Sequence, residues 1–526
     1  MAGWSIFAFL VATAALALVS KRTGVAYPIV FVVAGTLLGF IPNLPRIELQ
    51  PDQIFLIVLP VVLFAAGWTT DLNEFKRNLR PIGLLAIGLV VFTTVMVAAI
   101  AHAVIPGMSW AVALTLGAIV APTDAIAAES IADGLLVQRR VIAVISGESL
   151  VNDASALIVY RFAIAAAVSG AFAAGNVIPE FFLVSLGGIA VGLIAGVAIG
   201  WIQRQLRDRD LGDEVLVNVI ALFSPFASYL PAEALGVSGV LSTVACGIYL
   251  SRRSHIMTPD ARIVAASTWE MLIFLVNAFA FLLLGLQLHG IVTSIGSSLG
   301  AAVWHGAIIT VAVVVLRFVW VYPATYLPRL LSRTLRERDP YPSWRSVFVI
   351  GWSGMRGIVS LAAALALPLA FPSREAIVFV TFSVIFGTLV VMGLTLPTVI
   401  RRLAVHDDGK MEQKEIEIRI KALESGLKGL RSLEPTFDSE LAWEVEGRII
   451  DEYQHRILHL NGHLGGGALD GETTRSNALD HRLQTVALQA EREEILALRK
   501  RGEIPDEIYR HIQYDLDLAE TRLGAG

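Results

Sequence analysis

Charge is scarce in this 526-residue chain. Asp, Glu, Lys and Arg together supply 16% of it, while 55% is hydrophobic, against about 25% charged in an average soluble domain. That shortage excludes an ordinary water-soluble domain, and no nucleic-acid partner is expected. Cysteine is nearly absent: the single Cys246 lies in an apolar run, so no intrachain disulfide and no cysteine-based metal cluster can form. It reads as a small buried hydrophobe. No HExxH or GxSxG string and no catalytic Ser/His pair is read in the apolar spans, which counts against a membrane-embedded hydrolase. No enzyme activity and no cofactor are expected.

Apolar runs are plentiful instead. Windows long enough to cross a hydrocarbon core of about 30 Å recur thirteen times, at 3–19, 26–42, 53–69, 81–104, 109–128, 141–167, 178–202, 214–230, 237–251, 264–288, 299–325, 344–370 and 376–400. The first begins without a basic leader and Lys21-Arg22 follows it with no small-residue cleavage site, so it reads as a retained helix. The expected fold is an all-α polytopic membrane protein.

The charges divide the chain in two. Residues 1–402 carry a net +5 and residues 403–526 a net −9, predicting a transmembrane domain and a soluble helical tail. Basic residues of the short loops fall on alternate sides: eighteen on one side against Arg46 and Arg374 on the other. The bias of Lys and Arg toward the cytoplasm then puts the amino terminus outside and the tail inside a cell membrane. In the tail, Lys414–Leu430, Leu441–Leu460 and Leu483–Leu498 alternate charged and apolar residues as amphipathic helices do, with a glycine-rich break at Gly462–Gly471. The tail has neither a nucleotide-binding glycine pattern nor a calcium-loop pattern. His455, His459 and His463 stand at i, i+4 and i+8. They read as a pH- or metal-sensing stripe or as solvated histidines, and the following glycines favour the second.

The few charges inside the apolar windows carry the chemistry, since an ionised group at mid-membrane costs about 3 kcal/mol at the least. The string Ser146–Tyr160, SGESLVNDASALIVY, places Glu148, Asn152 and Asp153 in one such window. Asp153 lies 13 residues past Arg140, about 20 Å along a helix and near the midplane. Ser149, one turn back on the same face, and Asn152 offer oxygens suited to a hard monovalent cation. Glu148 faces elsewhere, toward another helix.

Two windows look broken. In Ala121-Pro122-Thr123-Asp124 the proline removes a donor and obstructs the preceding turn. Asp124 then sits at a half-helix start, where an acid complements the positive dipole end and Thr123 can cap. In Gly351-Trp-Ser-Gly354-Met-Arg356-Gly357 three glycines surround one arginine, the natural cation for Asp124, Glu148 and Asp153. Arg161 and Arg317, farther from the middle, read as structural. With the seventh helix as a linker, helices 1–6 and 8–13 form two inverted six-helix repeats whose fifth members are the crossed, discontinuous helices. Paired interruptions in matching places point to a transporter's binding site. A cation channel lined by the same acids is the alternative class.

The strings VAPTDAIAA, SGESLVNDASALIVYRF and WSGMRGIVSLAAALALP, in that order, resemble the bacterial sodium/proton exchangers of the first cation/proton antiporter family, over about residues 5–400. The resemblance implies a homodimer in the lipid bilayer and a mobile core that exchanges one Na⁺ for one H⁺ across the cell membrane. It makes Asp153 the cation and proton carboxylate, with Ser149 and Thr123 as further Na⁺ oxygens and Asn152 as the Asn of an Asn-Asp pair associated with electroneutral exchange. Glu148 and Arg356 become a core-stabilising ion pair, and Asp124 steadies the crossing. The tail becomes a candidate for regulatory contacts, and K⁺/H⁺ exchange at the same site is a further alternative. One departure stands out: Leu63-Phe64-Ala65-Ala66 replaces the LFEA of several relatives, so any selectivity or pH role of that glutamate is absent here.

Overall fold

The computed structural model describes residues 2–41, 54–132, 135, 137–169, 174–209, 214–253, 257, 259–405, 410–432, 440–464, 471–501, 503 and 506–524. Among them the chain is helical, without a strand. It divides into two compact units, Met1–Asp407 and Asp408–Gly526.

In the first unit α1 (Ala2–Thr23), α2 (Tyr27–Gly39), α3 (Ile54–Thr69), the short α4 (Leu72–Arg77) and α5 (Leu79–Val104) come first. Two half-helices follow, α6 (Trp110–Val120) and α7 (Ala125–Ala132), and then the long α8 (Arg139–Ser169) with the acidic string. Next are α9 (Ala174–Asp208), α10 (Glu214–Ala234), α11 (Gly239–Arg252), α12 (Pro259–Ile295), α13 (Leu299–Leu331) and the short α14 (Arg333–Arg338). A second pair of half-helices, α15 (Trp344–Trp352) and α16 (Ile358–Leu365), precedes α17 (Arg374–Leu403). Counting α6 and α7 as one, eight helices among the described residues are long and apolar enough to cross a membrane.

Hydrocarbon leaves a backbone no partner but itself, which is why apolar windows of this length fold as helices. The helices outrun the windows where nothing stops them. The window 264–288 lies inside the 37-residue α12, about 55 Å long, because apolarity ends at the bilayer surface while backbone hydrogen bonding does not.

Helices that attract one another no better than lipid does must gain by close packing, and small residues permit it. A β-carbon on Gly35 would overlap Leu282 O, and one on Gly285 would overlap Val32 O, so α2 and α12 touch backbone to backbone. Gly67 and Gly247 do the same for α3 and α11. The main apolar core gathers around the interrupted helices, uniting Leu116, Ile119 and Val120 of α6 with Met355 and with Phe382, Ile385 and Leu389 of α17.

The second unit consists of α18 (Lys410–Arg431), α19 (Glu440–Leu464), α20 (Gly471–Lys500) and α21 (Asp506–Gly524). The last of these has no counterpart among the three amphipathic stretches read from the sequence. Arg492 joins α20 to α21 through Asp517 at 2.7 Å and Glu520 at 2.6 Å, exposed pairs worth under about 1 kcal/mol each. Residues 465–470 of the expected glycine break lie outside the described residues. His455 is exposed on α19; the side chains of His459 and His463 are outside the described residues.

Candidate functional site

The site is built where the two interrupted helices cross beside α8. Helix α6 starts with Ser109, whose hydroxyl accepts from Val112 N, and ends at Val120 because Pro122 supplies no donor for the next turn. The carbonyl freed there is taken by Arg356, whose Nε donates to Val120 O at 3.1 Å. Its Nη1 donates to Gly354 O. The chain returns the contact in kind, since Asp124 N donates to Met355 O at 2.8 Å. Each break therefore satisfies a backbone group that the other leaves open.

Asp124 caps α7: its Oδ1 accepts from Ile126 N at 2.9 Å, while Ser149 Oγ of α8 accepts from Ala125 N at 3.3 Å. A β-carbon on Gly357 would overlap Asp124 Oδ2. The carboxylate thus lies against the starts of both α7 and α16, where helix dipoles favour negative charge. Arg356, by contrast, lies on carbonyls at the end of α6 and in the second break. Acid at helix starts and base at helix ends is the arrangement that dipoles stabilise.

Thr123 ties α8 to the first break. Its hydroxyl donates to Glu148 Oε1 at 2.9 Å and accepts from Asn152 Nδ2 at 2.8 Å. Asn152 Nδ2 also donates to Thr123 O at 3.2 Å, while Asn152 Oδ1 is buried with no hydrogen-bond partner among the described residues.

The structure corrects one pairing. Glu148 meets Arg317, not Arg356: Nη1 and Nη2 of Arg317 donate to Oε1 and Oε2 at 2.5 and 2.8 Å. Both side chains are 1% exposed. Arg317 also donates to Ile350 O and Gly351 O in α15, so the bidentate geometry and satisfied guanidinium offset the desolvation of the pair. The reason lies in the direction of the side chains. Arg317 on α13 reaches inward across α15, and Gly354 makes the room, since a β-carbon there would overlap the Arg317 side chain. Arg161 stays near the surface and pairs with Glu233 at 2.9 Å.

These contacts leave Asp153 apart. Its side chain is buried, at 8% exposure, and among the described residues it makes no hydrogen bond or ion pair. It stands next to Asn152 with the unpartnered Oδ1, and Ser149 is one turn away. A buried carboxylate without a fixed partner can be neutralised only by something that comes and goes, a proton or a small cation.

Two residues hold contacts that the sequence reading did not name. Arg317 reads as structural, which its buried ion pair agrees with, but its partner Glu148 was given to Arg356. Glu129, which accepts a hydrogen bond from Ser146 Oγ of α8, falls one residue beyond the window that ended at 128. Ala65 is buried in an apolar cluster with Phe64, Cys246 and Trp269. The letters Gly296-Ser-Ser-Leu-Gly300 fit a GxSxG string, but they form a 3₁₀ turn and the start of α13 with no strand before them, so they make no hydrolase elbow.

The description "sodium/hydrogen exchanger, transmembrane" belongs to a family model that matches residues 6–402. The chain is 33% identical over 525 residues to the uncharacterized Na(+)/H(+) exchanger YjcE of Escherichia coli (strain K12), covering 94% of each chain. It is 29% identical over 510 residues to the sodium, potassium, lithium and rubidium/H(+) antiporter of Bacillus subtilis (strain 168), covering 92% of this chain and 72% of that one. A solved structure of the sodium proton antiporter MjNhaP1 from Methanocaldococcus jannaschii superposes with a TM-score of 0.58 at 18% identity, over 77% of this chain and 98% of that one. That last likeness is one of fold.

Proposed function

The chain belongs to the transmembrane sodium/hydrogen exchanger family, whose members are multi-pass monovalent cation/proton antiporters, and from that membership we propose that it exchanges one Na⁺ for one H⁺ at Asp153. The observation that carries this reading is the division of labour among buried charges. Glu148 is committed to Arg317, Arg356 to carbonyls and Asp124 to a helix start, whereas Asp153 has no fixed partner among the described residues.

In this reading Asp153 binds either Na⁺ or H⁺, never both. Asn152 Oδ1 and Ser149 add neutral oxygens, and Thr123 holds Asn152 in place while keeping one lone pair for the cation. Either occupant cancels the charge of Asp153, and only then can the core carrying α6–α8, α15 and α16 move at low cost. The empty, ionised state is held back by the desolvation of a lone charge. Competition for one carboxylate couples the two fluxes, and one charge for one charge makes the exchange electroneutral.

The surrounding scaffold is proposed to have thirteen crossings in two inverted six-helix repeats with α9 as the linker. Residues 1–402 would form a transport domain that dimerises. The tail, 403–526, would be cytoplasmic and regulatory, on the side of the cell membrane favoured by the eighteen basic loop residues. The choice among Na⁺, Li⁺ and K⁺ is open to a wider answer than Na⁺ alone, because the Bacillus subtilis relative is named for four cations.

The test is transport by the reconstituted protein. In vesicles loaded with a pH-sensitive dye, added Na⁺ should drive proton movement that saturates and depends on the opposing gradient. Asp153→Asn should abolish it while the protein still inserts and melts normally. Exchange retained by Asp153→Asn would overturn the assignment, and flux without proton coupling would favour a channel. Comparing Na⁺, Li⁺ and K⁺ in the same vesicles fixes the cation.

A further inference from the structure

At the arginine-rich end of the bundle three helices and a loop converge on one carboxylate. Asp339, between α14 and α15, lies 2.7 Å from Arg140 Nη2, 2.6 Å from Arg329 Nη2 and 4.0 Å from Arg80 Nη2. Burial works against its charge, but the guanidiniums, Arg140 foremost, outweigh burial and hold the carboxyl below the ordinary carboxylate range. One acid against three bases leaves the cluster with an excess of positive charge.

The three arginines are not equally engaged. Arg329 is buried and donates to Asp339 O at 3.1 Å and to Thr325 O. Among the described residues Arg140 is held by Asp339 alone. All three guanidinium nitrogens of Arg80 are shielded from solvent and make no hydrogen bond among the described residues. Arg80 thus shares the one carboxylate, Asp339, with the other two guanidiniums without hydrogen-bonding to it, and the positive excess of the cluster stays uncompensated.

Beside the cluster, between α5, α8, α13 and α15, is a cavity of about 210 Å³ whose wall contains Arg140 and Arg329 together with Pro81, Leu84, Leu85 and Val141. It is smaller than the roughly 300–1,000 Å³ of pockets that enclose a whole small ligand. Such a space takes a headgroup and the first methylenes and leaves longer chains outside. Cationic and apolar walls in one small cavity fit an anion with an apolar continuation.

We propose that this cavity binds the phosphate headgroup of an anionic phospholipid, with Arg140 and Arg329 facing the phosphate, Arg80 adding its positive charge from beside Asp339, and Leu84, Leu85 and Val141 facing the glycerol and first methylenes. Basic pockets between membrane helices recognise anionic headgroups in this way, and the planar fork of a guanidinium matches a phosphate. Free phosphate shares the anionic chemistry but leaves the apolar wall unused. Because the wall joins the start of α8, which carries Asp153, to α15, an occupied cavity braces two elements of the transport site.

The full-length protein in detergent tests this without relying on transport. Phosphatidylglycerol should raise its melting temperature in a saturable way, with phosphatidylcholine and inorganic phosphate ineffective at the same concentration. Arg80→Gln should weaken the apparent affinity for phosphatidylglycerol roughly fivefold, the effect of one basic residue on an anionic lipid. Its lipid-free melting temperature should be unchanged, as should its antiport in phosphatidylcholine vesicles. Asp339→Asn, by removing the competing carboxylate, should shift the affinity the other way. Equal effects of the two lipids, a full effect of inorganic phosphate alone, or both substitutions moving the affinity in one direction would overturn the lipid assignment.

Discussion

The two interrupted helices break for different reasons. In the first, Pro122 withholds a donor and a four-residue gap opens after Val120. In the second there is no proline and no glycine with a left-handed backbone, since the positive-φ glycines are Gly24, Gly107, Gly236 and Gly296. Gly351, Gly354 and Gly357 instead make space, for Phe318, Arg317 and Asp124 respectively. One break is therefore written in the chain's own covalent geometry. The other is imposed by what its neighbours need to occupy, and it carries the cation that satisfies the first.

That contrast can be broken by substitution, beginning with the largest effect. Arg317→Ala should cost about 3–5 kcal/mol, because Glu148 would be left buried with only Thr123 as a partner. Its melting temperature should fall well below that of Arg356→Ala, which orphans carbonyls at about 1–3 kcal/mol each rather than a carboxylate. Should Arg356→Ala prove the more damaging, the ion pair would not be the anchor of the crossing. Gly357→Ala comes next. Pushing a methyl into Asp124 should cost about 1–3 kcal/mol, with a large loss of dye-reported exchange in whatever protein still folds.

Pro122→Ala should matter least, within about 1 kcal/mol in melting experiments, and most exchange should survive. Pro122 starts the break, but once the bundle is packed Arg356 Nε on Val120 O and Asp124 N on Met355 O also hold the gap open. A Pro122→Ala variant worse than Gly357→Ala would show that the ring must act throughout, and that the contacts across the crossing cannot keep the first break open by themselves.

How far the site could be read beforehand follows from the same contrast. A proline inside an apolar run and an acid inside a membrane window are local facts, so the first break and the unusual standing of Asp153 were legible from the letters. The partner of Glu148 was not, because Arg356 and Arg317 are both arginines in apolar windows and no periodicity ranks them. Their roles depend on which side chain has room to reach across α15, which depends on Gly354. Glu129 was missed for a smaller reason, the length of α7, since hydropathy windows do not locate helix ends.

The sequence alone determined the membrane-spanning, helical character of the chain and the positions where an ionisable group must find a partner inside a membrane. Composition and spacing suffice for that, because hydrocarbon forbids an unsatisfied backbone and penalises a lone charge wherever the chain passes. Only the tertiary structure decided who partners whom. It set Arg317 on Glu148, Arg356 on Val120 O and Asp124 at the starts of two half-helices, and it left Asp153 without a fixed partner among the described residues. Those assignments turn on ångström-scale room between helices far apart in the chain, and such room is a property of the packed bundle rather than of any one segment.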